Sequence, residues 1–98
     1  MKQITVAEVE QRLKEGQQLN IIDVREANEV ATGKIPGAVN IPLGLLEFRM
    51  HELNKANEYI VVCQAGGRST LACQYLEQQG FHVINMNGGM LAWTGEME

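Results

Sequence analysis

Tyr59-Ile60-Val61-Val62-Cys63-Gln64-Ala65-Gly66-Gly67-Arg68-Ser69 is the stretch whose reading decides the fold. Its first four residues are an uninterrupted apolar run, the pattern of a strand buried on both faces. Ser69 to Gln79 follows with helical spacing and ends at Gly80. A cysteine therefore stands where a strand ends, a glycine-bearing loop follows, and a helix begins. Such a loop turns backbone N–H groups inward, and the helix start adds partial positive charge. Both favour a thiolate or a bound anion. Arg68 adds a formal charge at the helix entrance.

Outward from this stretch, strands and helices alternate. Thr5-Val6-Ala7-Glu8 reads as a capping box, and Val6, Val9 and Leu13 repeat at helical spacing until Gly16. Leu19 to Val24 reads as a strand ending at Asp23 and Arg25. Glu26 to Thr32 reads as one or two helical turns closed by Gly33. Ala38 to Ile41 reads as a strand. Leu45 to Lys55 reads as a helix with Leu46, Met50 and Leu53 on one stripe and Leu45 and Phe48 beside it. Phe81 to Met86 is a strand and Met90 to Trp93 a last short turn. Short strands apolar on both faces, alternating with helices, predict an α/β fold with a parallel sheet covered by helices. Ligands bind beyond the carboxyl ends of such strands, where Cys63 falls and where Asp23 and Arg25 also fall.

Size and composition bound the rest. Ninety-eight residues, 45% apolar and 20% charged, predict one globular domain spanning residues 1–98. The formal net charge of −4 argues against nucleic acid as an electrostatic partner. Met1 to Glu8 lacks the apolar region of a signal peptide, and no apolar run approaches the ~20 residues of a membrane helix. A cytoplasmic location and no membrane partner are expected. Cys63 and Cys73 make no disulfide framework, with Cα atoms expected beyond the roughly 7 Å limit for a bridge. A reducing compartment suits a nucleophilic thiol.

Cys63 and Arg68 are separated by four residues. The similar phosphatase signature has five between Cys and Arg, and usually His where Val62 stands here. A shorter loop makes a tighter ring of N–H groups, better fitted to a sulfur atom on the cysteine than to a tetrahedral oxyanion.

With these features the chain resembles the rhodanese family along nearly all its length. Asp23-Val24-Arg25-Glu26 is similar to the family's first signature, and Gly33-Lys34-Ile35-Pro36-Gly37-Ala38-Val39-Asn40-Ile41-Pro42 to its second. Cys63 to Ser69 is similar to the active loop, and Gly88-Gly89-Met90-Leu91-Ala92-Trp93 to the C-terminal signature. The resemblance implies a three-layer α/β domain, with a mostly parallel sheet of about five short strands and helices on both faces. It implies sulfane sulfur carried as a persulfide on Cys63. The chain departs from the family at Lys34, usually His, and at Ala27 and Val30, often Pro and an aromatic. The animal thiosulfate enzymes carry Arg where Pro36 stands, so the resemblance implies thiosulfate:cyanide-like activity in vitro and leaves the natural donor open.

The candidate site follows. Cys63 is the nucleophile, weighed against a buried core thiol. Gln64, Ala65, Gly66, Gly67, Arg68 and Ser69 form the substrate-binding or persulfide cradle. The plainer readings are a simple turn for the glycines, a solvated cation for Arg68 and a helix N-cap for Ser69. Asp23 and Arg25 are supports that fix loops by charge-assisted hydrogen bonds. Gly88 and Gly89 let the last loop pass close to the active loop. Trp93 and Cys73 are packing residues, Cys73 sharing a helix face with Ala72 and Leu76. Lys34 and Arg49 are candidate rim cations. His51 and His82 lack metal-ligand spacing, and no metal site is expected. The expected activity is sulfur transfer by double displacement, needing no metal or organic cofactor. The donor is a small molecule or a persulfidated protein, and the acceptor a thiol or cyanide. The alternatives are a persulfide relay or sensor that works by docking and, further off, a phosphatase or arsenate reductase.

Overall fold

A computed structural model describes residues 1–98. Five strands, all parallel, form one sheet in the order β1-β5-β4-β2-β3. They are β1 (Lys2–Thr5), β2 (Asn20–Asp23), β3 (Val39–Asn40), β4 (Glu58–Val62) and β5 (His82–Asn87). The helices are α1 (Val6–Lys14), α2 (Ala27–Val30), α3 (Leu46–Arg49) and α4 (Gly67–Gln78). Short 3-10 turns cover Leu43–Leu45, Met50–Glu52 and Met90–Ala92.

Alternation along the strands divides the core into two layers. Ile22, Val24, Tyr59, Val61, Cys63 and Val83 pack on one face with Leu46 of α3 and Ala72, Cys73 and Leu76 of α4. Ile21, Ile60, Val62, Ile84 and Met86 pack on the other with Val6 and Val9 of α1, and with Ile35 and Met90. Strands covered on both faces are near-continuous in apolar residues, which is why β2 and β4 are legible in the sequence. Asp23 lies beside Val62 in the register of β2 and β4. The chain segments carrying Arg25 and Cys63 thus leave the sheet at one rim.

The fifth strand is β1, hidden because only Ile4 points inward while Lys2, Gln3 and Thr5 are exposed. Thr5 caps α1 as expected, its Oγ1 accepting from Glu8 N at 3.1 Å. The reciprocal half of the capping box differs: the Glu8 carboxylate accepts from the Thr5 hydroxyl, also at 3.1 Å. The turns predicted over 26–32 contract to α2, Ala27–Val30, with Glu26 as its N-cap.

The helix predicted over 45–55 is a correction. The chain there runs as a 3-10 turn, a four-residue α3, a second 3-10 turn, and extended backbone at Leu53. Side-chain hydrogen bonds compete with helix propagation at its end. Asn54 Oδ1 accepts from Ala56 N at 2.8 Å, and the Tyr59 hydroxyl accepts from Asn54 N at 2.8 Å. Leu46 still reaches the core and Met50 and Leu53 pack against it, while Leu45 and Phe48 face outward.

The start of α4 is a second correction. The helix begins at Gly67, with Gly66 at its cap in the left-handed region at φ 111°. Ser69 is therefore two residues inside the first turn, not the N-cap. No helix is long and apolar enough to cross a membrane.

Candidate active site

Cys63 follows β4 directly and is 1% exposed. The loop then folds back over it. Gly66 can take φ 111° because it lacks a Cβ, and this turns its N–H onto the sulfur, with N to Sγ at 3.0 Å. Ser69, freed from capping, places Oγ 3.3 Å from Sγ. The same hydroxyl donates to Gly66 O at 3.1 Å, which ties α4 to the loop. With a thiol, Cys63 S–H donates to Ser69 Oγ. With a thiolate, the hydroxyl rotates and donates to sulfur.

Burial pushes the Cys63 thiol up. The Ser69 hydroxyl and the backbone N–H groups of Ser69, Gly66 and Ala65 outweigh it, and the net is a thiol held below its ordinary value. Cys73 lies in the same apolar layer without such donors, and burial, reinforced by Glu77 and Cys63, pushes it up to about 12. Both thiols are free.

Asp23 and Arg25 form a buried pair, 0% and 3% exposed. Arg25 Nε reaches Asp23 Oδ1 at 3.0 Å and Nη2 reaches Oδ2 at 2.8 Å. Arg25 then spends its remaining donors on loops. Nη2 bonds Gly33 O at 2.8 Å and Nη1 bonds Gln64 Oε1 at 3.3 Å. One guanidinium thus joins the end of β2, the turn after α2 and the residue following Cys63. Asn40, which the sequence reading passed over, completes this support. Its side-chain amide donates to Asp23 O and Arg25 O, both at 2.9 Å.

The glycines after β5 approach the active loop closely. Met90 N donates to Cys63 O at 2.8 Å and Leu91 N to Gln64 O at 3.0 Å. Gly89 directly precedes Met90 at φ 59°, where a Cβ would come within 2.5 Å of both carbonyl oxygens. No side chain fits there without moving one loop or the other.

Arg68 is half-buried at the loop's end but does not face the sulfur alone. Its guanidinium makes a forked pair with Glu29 of α2, Nη1 to Oε1 at 2.5 Å and Nη2 to Oε2 at 2.8 Å. The sequence reading does not single out Glu29. The available signal was a carboxylate three residues after Glu26 in the short helix beyond Arg25. The Arg68 guanidinium, together with Glu26 N–H, holds Glu29 down to about 2. The two candidate rim cations are engaged elsewhere. Lys34 pairs with Glu98 and donates to Ala38 O at 3.0 Å. Arg49 pairs with Glu52 and donates to Asn40 O at 3.2 Å. Trp93 is half-buried against the second layer, its Nε1 donating to Glu96 O.

The site is thus a buried sulfur approached by N–H groups in a loop between a parallel strand and a helix. The family model for the rhodanese-like domain matches residues 5–96. The chain belongs to the rhodanese-like family. Among its relatives is the Bacillus subtilis protein named "Putative sulfurtransferase YtwF", 44% identical over 98% of this chain and 93% of that one. A second B. subtilis protein, "Putative sulfur carrier protein YrkF", is 42% identical over 98% of this chain. This rhodanese-like chain spans 52% of that relative, about half its length. The crystal structure of a rhodanese-like domain protein from Staphylococcus aureus superposes with a TM-score of 0.94 at 39% identity, covering 100% of this chain and 97% of that one. The rhodanese-like fold is thus shared over the whole chain.

Proposed function

We propose that the chain acts as one unit, residues 1–98, and is a sulfurtransferase that carries sulfane sulfur on Cys63. The observation that carries this reading is the convergence of the Gly66 N–H and the Ser69 hydroxyl on one buried sulfur. Backbone N–H groups of Ala65 and Ser69 add to them. Donors fixed by the loop stabilise an anionic sulfur without reorganising during reaction.

The reaction is a double displacement. The Cys63 thiolate attacks the outer sulfur of a donor R–S–SH. A new Cys63 S–S bond forms, the donor's S–S bond breaks, and R–S⁻ leaves with the electron pair. The loop from Gln64 to Ser69 cradles the resulting persulfide. An acceptor thiolate then attacks the outer sulfur and Cys63 leaves as thiolate. Cyanide in the same role leaves as thiocyanate. No redox partner is needed, since each step exchanges one S–S bond or its equivalent for another. Asp23, Arg25 and Asn40 keep the loop in register with the sheet rather than touching the reacting sulfur. Donor and acceptor are a small molecule, a thiol or another protein's persulfide, and a reducing compartment such as the cytoplasm keeps Cys63 competent.

The four-residue spacing from Cys63 to Arg68, and the engagement of Arg68 with Glu29, weigh against phosphoryl chemistry, which needs an arginine free for the oxyanion. The discriminating experiment runs two assays side by side, thiocyanate formation and hydrolysis of an activated aryl phosphate. Cys63-dependent thiocyanate with no Cys63-dependent phosphate is expected. The reverse result overturns the reading.

A further inference from the structure

The charges around the Cys63 loop cancel in pairs. Of the eight lysines and arginines in the chain, six are bound to a carboxylate: Lys2, Lys14, Arg25, Lys34, Arg49 and Arg68. The other two, Arg12 and Lys55, precede β2 and β4 and so stand toward the opposite rim of the sheet from Cys63. Arg68 is the only charged residue within the active loop. Its pairing with Glu29 is a two-pronged contact with both side chains only about one-third exposed. Glu29 is itself held in place by a third bond, from Glu26 N to its Oε1 at 2.9 Å. Glu26 adds an exposed carboxylate beside the pair.

We infer that Glu29 is a specificity-determining residue. By holding Arg68 it leaves the mouth of the loop without net positive charge, and so favours sulfur donors of low charge, such as the persulfide of a thiol, over the dianion thiosulfate. This rests on the sulfur-transfer reading above. The physical reason is that a dianion gains nothing from a cation already neutralised at contact distance, while it meets the field of Glu26 and of the Cys63 thiolate itself. A donor with one negative charge or none meets half that repulsion or less. Glu29 acts through Arg68 and touches no reacting atom.

The test reads charge at the mouth in two ways. The first is alkylation of Cys63, followed by peptide mass, with iodoacetate (one negative charge) and iodoacetamide (none). In the wild-type chain the iodoacetate-to-iodoacetamide rate ratio should rise with salt, because screening relieves repulsion. A ratio that falls with salt would mean an attractive mouth and would overturn the inference without any variant. Glu29→Gln should raise the ratio about 3- to 10-fold at low salt, with iodoacetamide itself changed less than about twofold. Glu29→Gln combined with Arg68→Ala should return the ratio to the wild-type value. The second is sulfur loading of Cys63 from thiosulfate against loading from the persulfide of 2-mercaptoethanol. Glu29→Gln should raise relative use of thiosulfate by a similar factor. If the alkylation ratio ignores Glu29 while both donors load Cys63, the role of Glu29 is wrong and sulfur transfer stands. If the ratio responds as stated while neither donor loads Cys63, the sulfur-transfer reading falls, and the donor preference with it.

Discussion

At the scale of single residues, two cysteines in one apolar layer receive opposite treatment. Cys63 is held below the ordinary thiol value by the Ser69 hydroxyl and loop N–H groups working against burial, and Cys73 is pushed up to about 12 by burial. Alkylation of Cys63 should therefore reach half its maximal rate below the ordinary ~8.5 of a free thiol. Cys73 should stay unreacted in the native protein through about pH 10. Ser69→Ala should move the Cys63 midpoint upward. An unmoved midpoint would show that the hydroxyl does not act on the sulfur. Glu29 supplies a second titration. Its native value of about 2 lies below the ordinary ~4.3 of a glutamate. A depressed carboxylate stabilises the fold above its unfolded value, and that contribution disappears as pH falls through the native one. Glu29→Gln should thus be less stable than wild type above about pH 5, with the gap closing toward pH 2. Denaturant midpoints across that range check it, and a gap independent of pH contradicts it. The cysteine was legible from its place between an apolar run and two glycines. Glu29 was not, because its partner Arg68 lies 39 positions away and its spacing from Glu26 marks only a helix start.

At the scale of elements, the active loop is set by what packs behind it. Gly89 at φ 59° lies where a Cβ would meet Cys63 O and Gln64 O at 2.5 Å. Gly89→Ala should cost about 2–4 kcal/mol, from strain in a positive-φ extended region open essentially to glycine alone plus overpacking, and should reduce sulfur loading of Cys63. Gly37 has φ 82° but open space around it, so Gly37→Ala should cost only about 1 kcal/mol. Urea unfolding of the two variants separates close approach from backbone strain, and equal losses would remove the packing argument. The elements themselves were unequally legible. β2 and β4 announce themselves by apolar runs, and α1 by its cap. β1 carries one inward residue among polar ones and gives no such signal. The segment over 45–55 carries helical periodicity, yet Asn54 turns the chain, so its period overstates its helix. At α4, the positive φ of Gly66 replaces the expected serine cap, and this releases Ser69 toward the sulfur.

At the scale of the whole molecule, a parallel sheet brings segments far apart in sequence to one rim. Arg25, Asn40, Cys63 and Gly89 come from four separate stretches and meet through hydrogen bonds to backbone as much as to side chains. Patterning in the sequence identified the sheet and the end of the strand that carries the nucleophile, since those depend on local apolar spacing. It did not order the strands or show that the cations are paired, since both depend on contacts between distant segments. The central claim is that this assembly serves one sulfur atom on one thiol. Intact-protein mass spectrometry after exposure to a persulfide donor tests it most directly. The account predicts a gain of one sulfur atom, reversed by cyanide or reductant, present in Cys73→Ser and absent from Cys63→Ser. Sulfur retained in Cys63→Ser, or found only on Cys73, would contradict it.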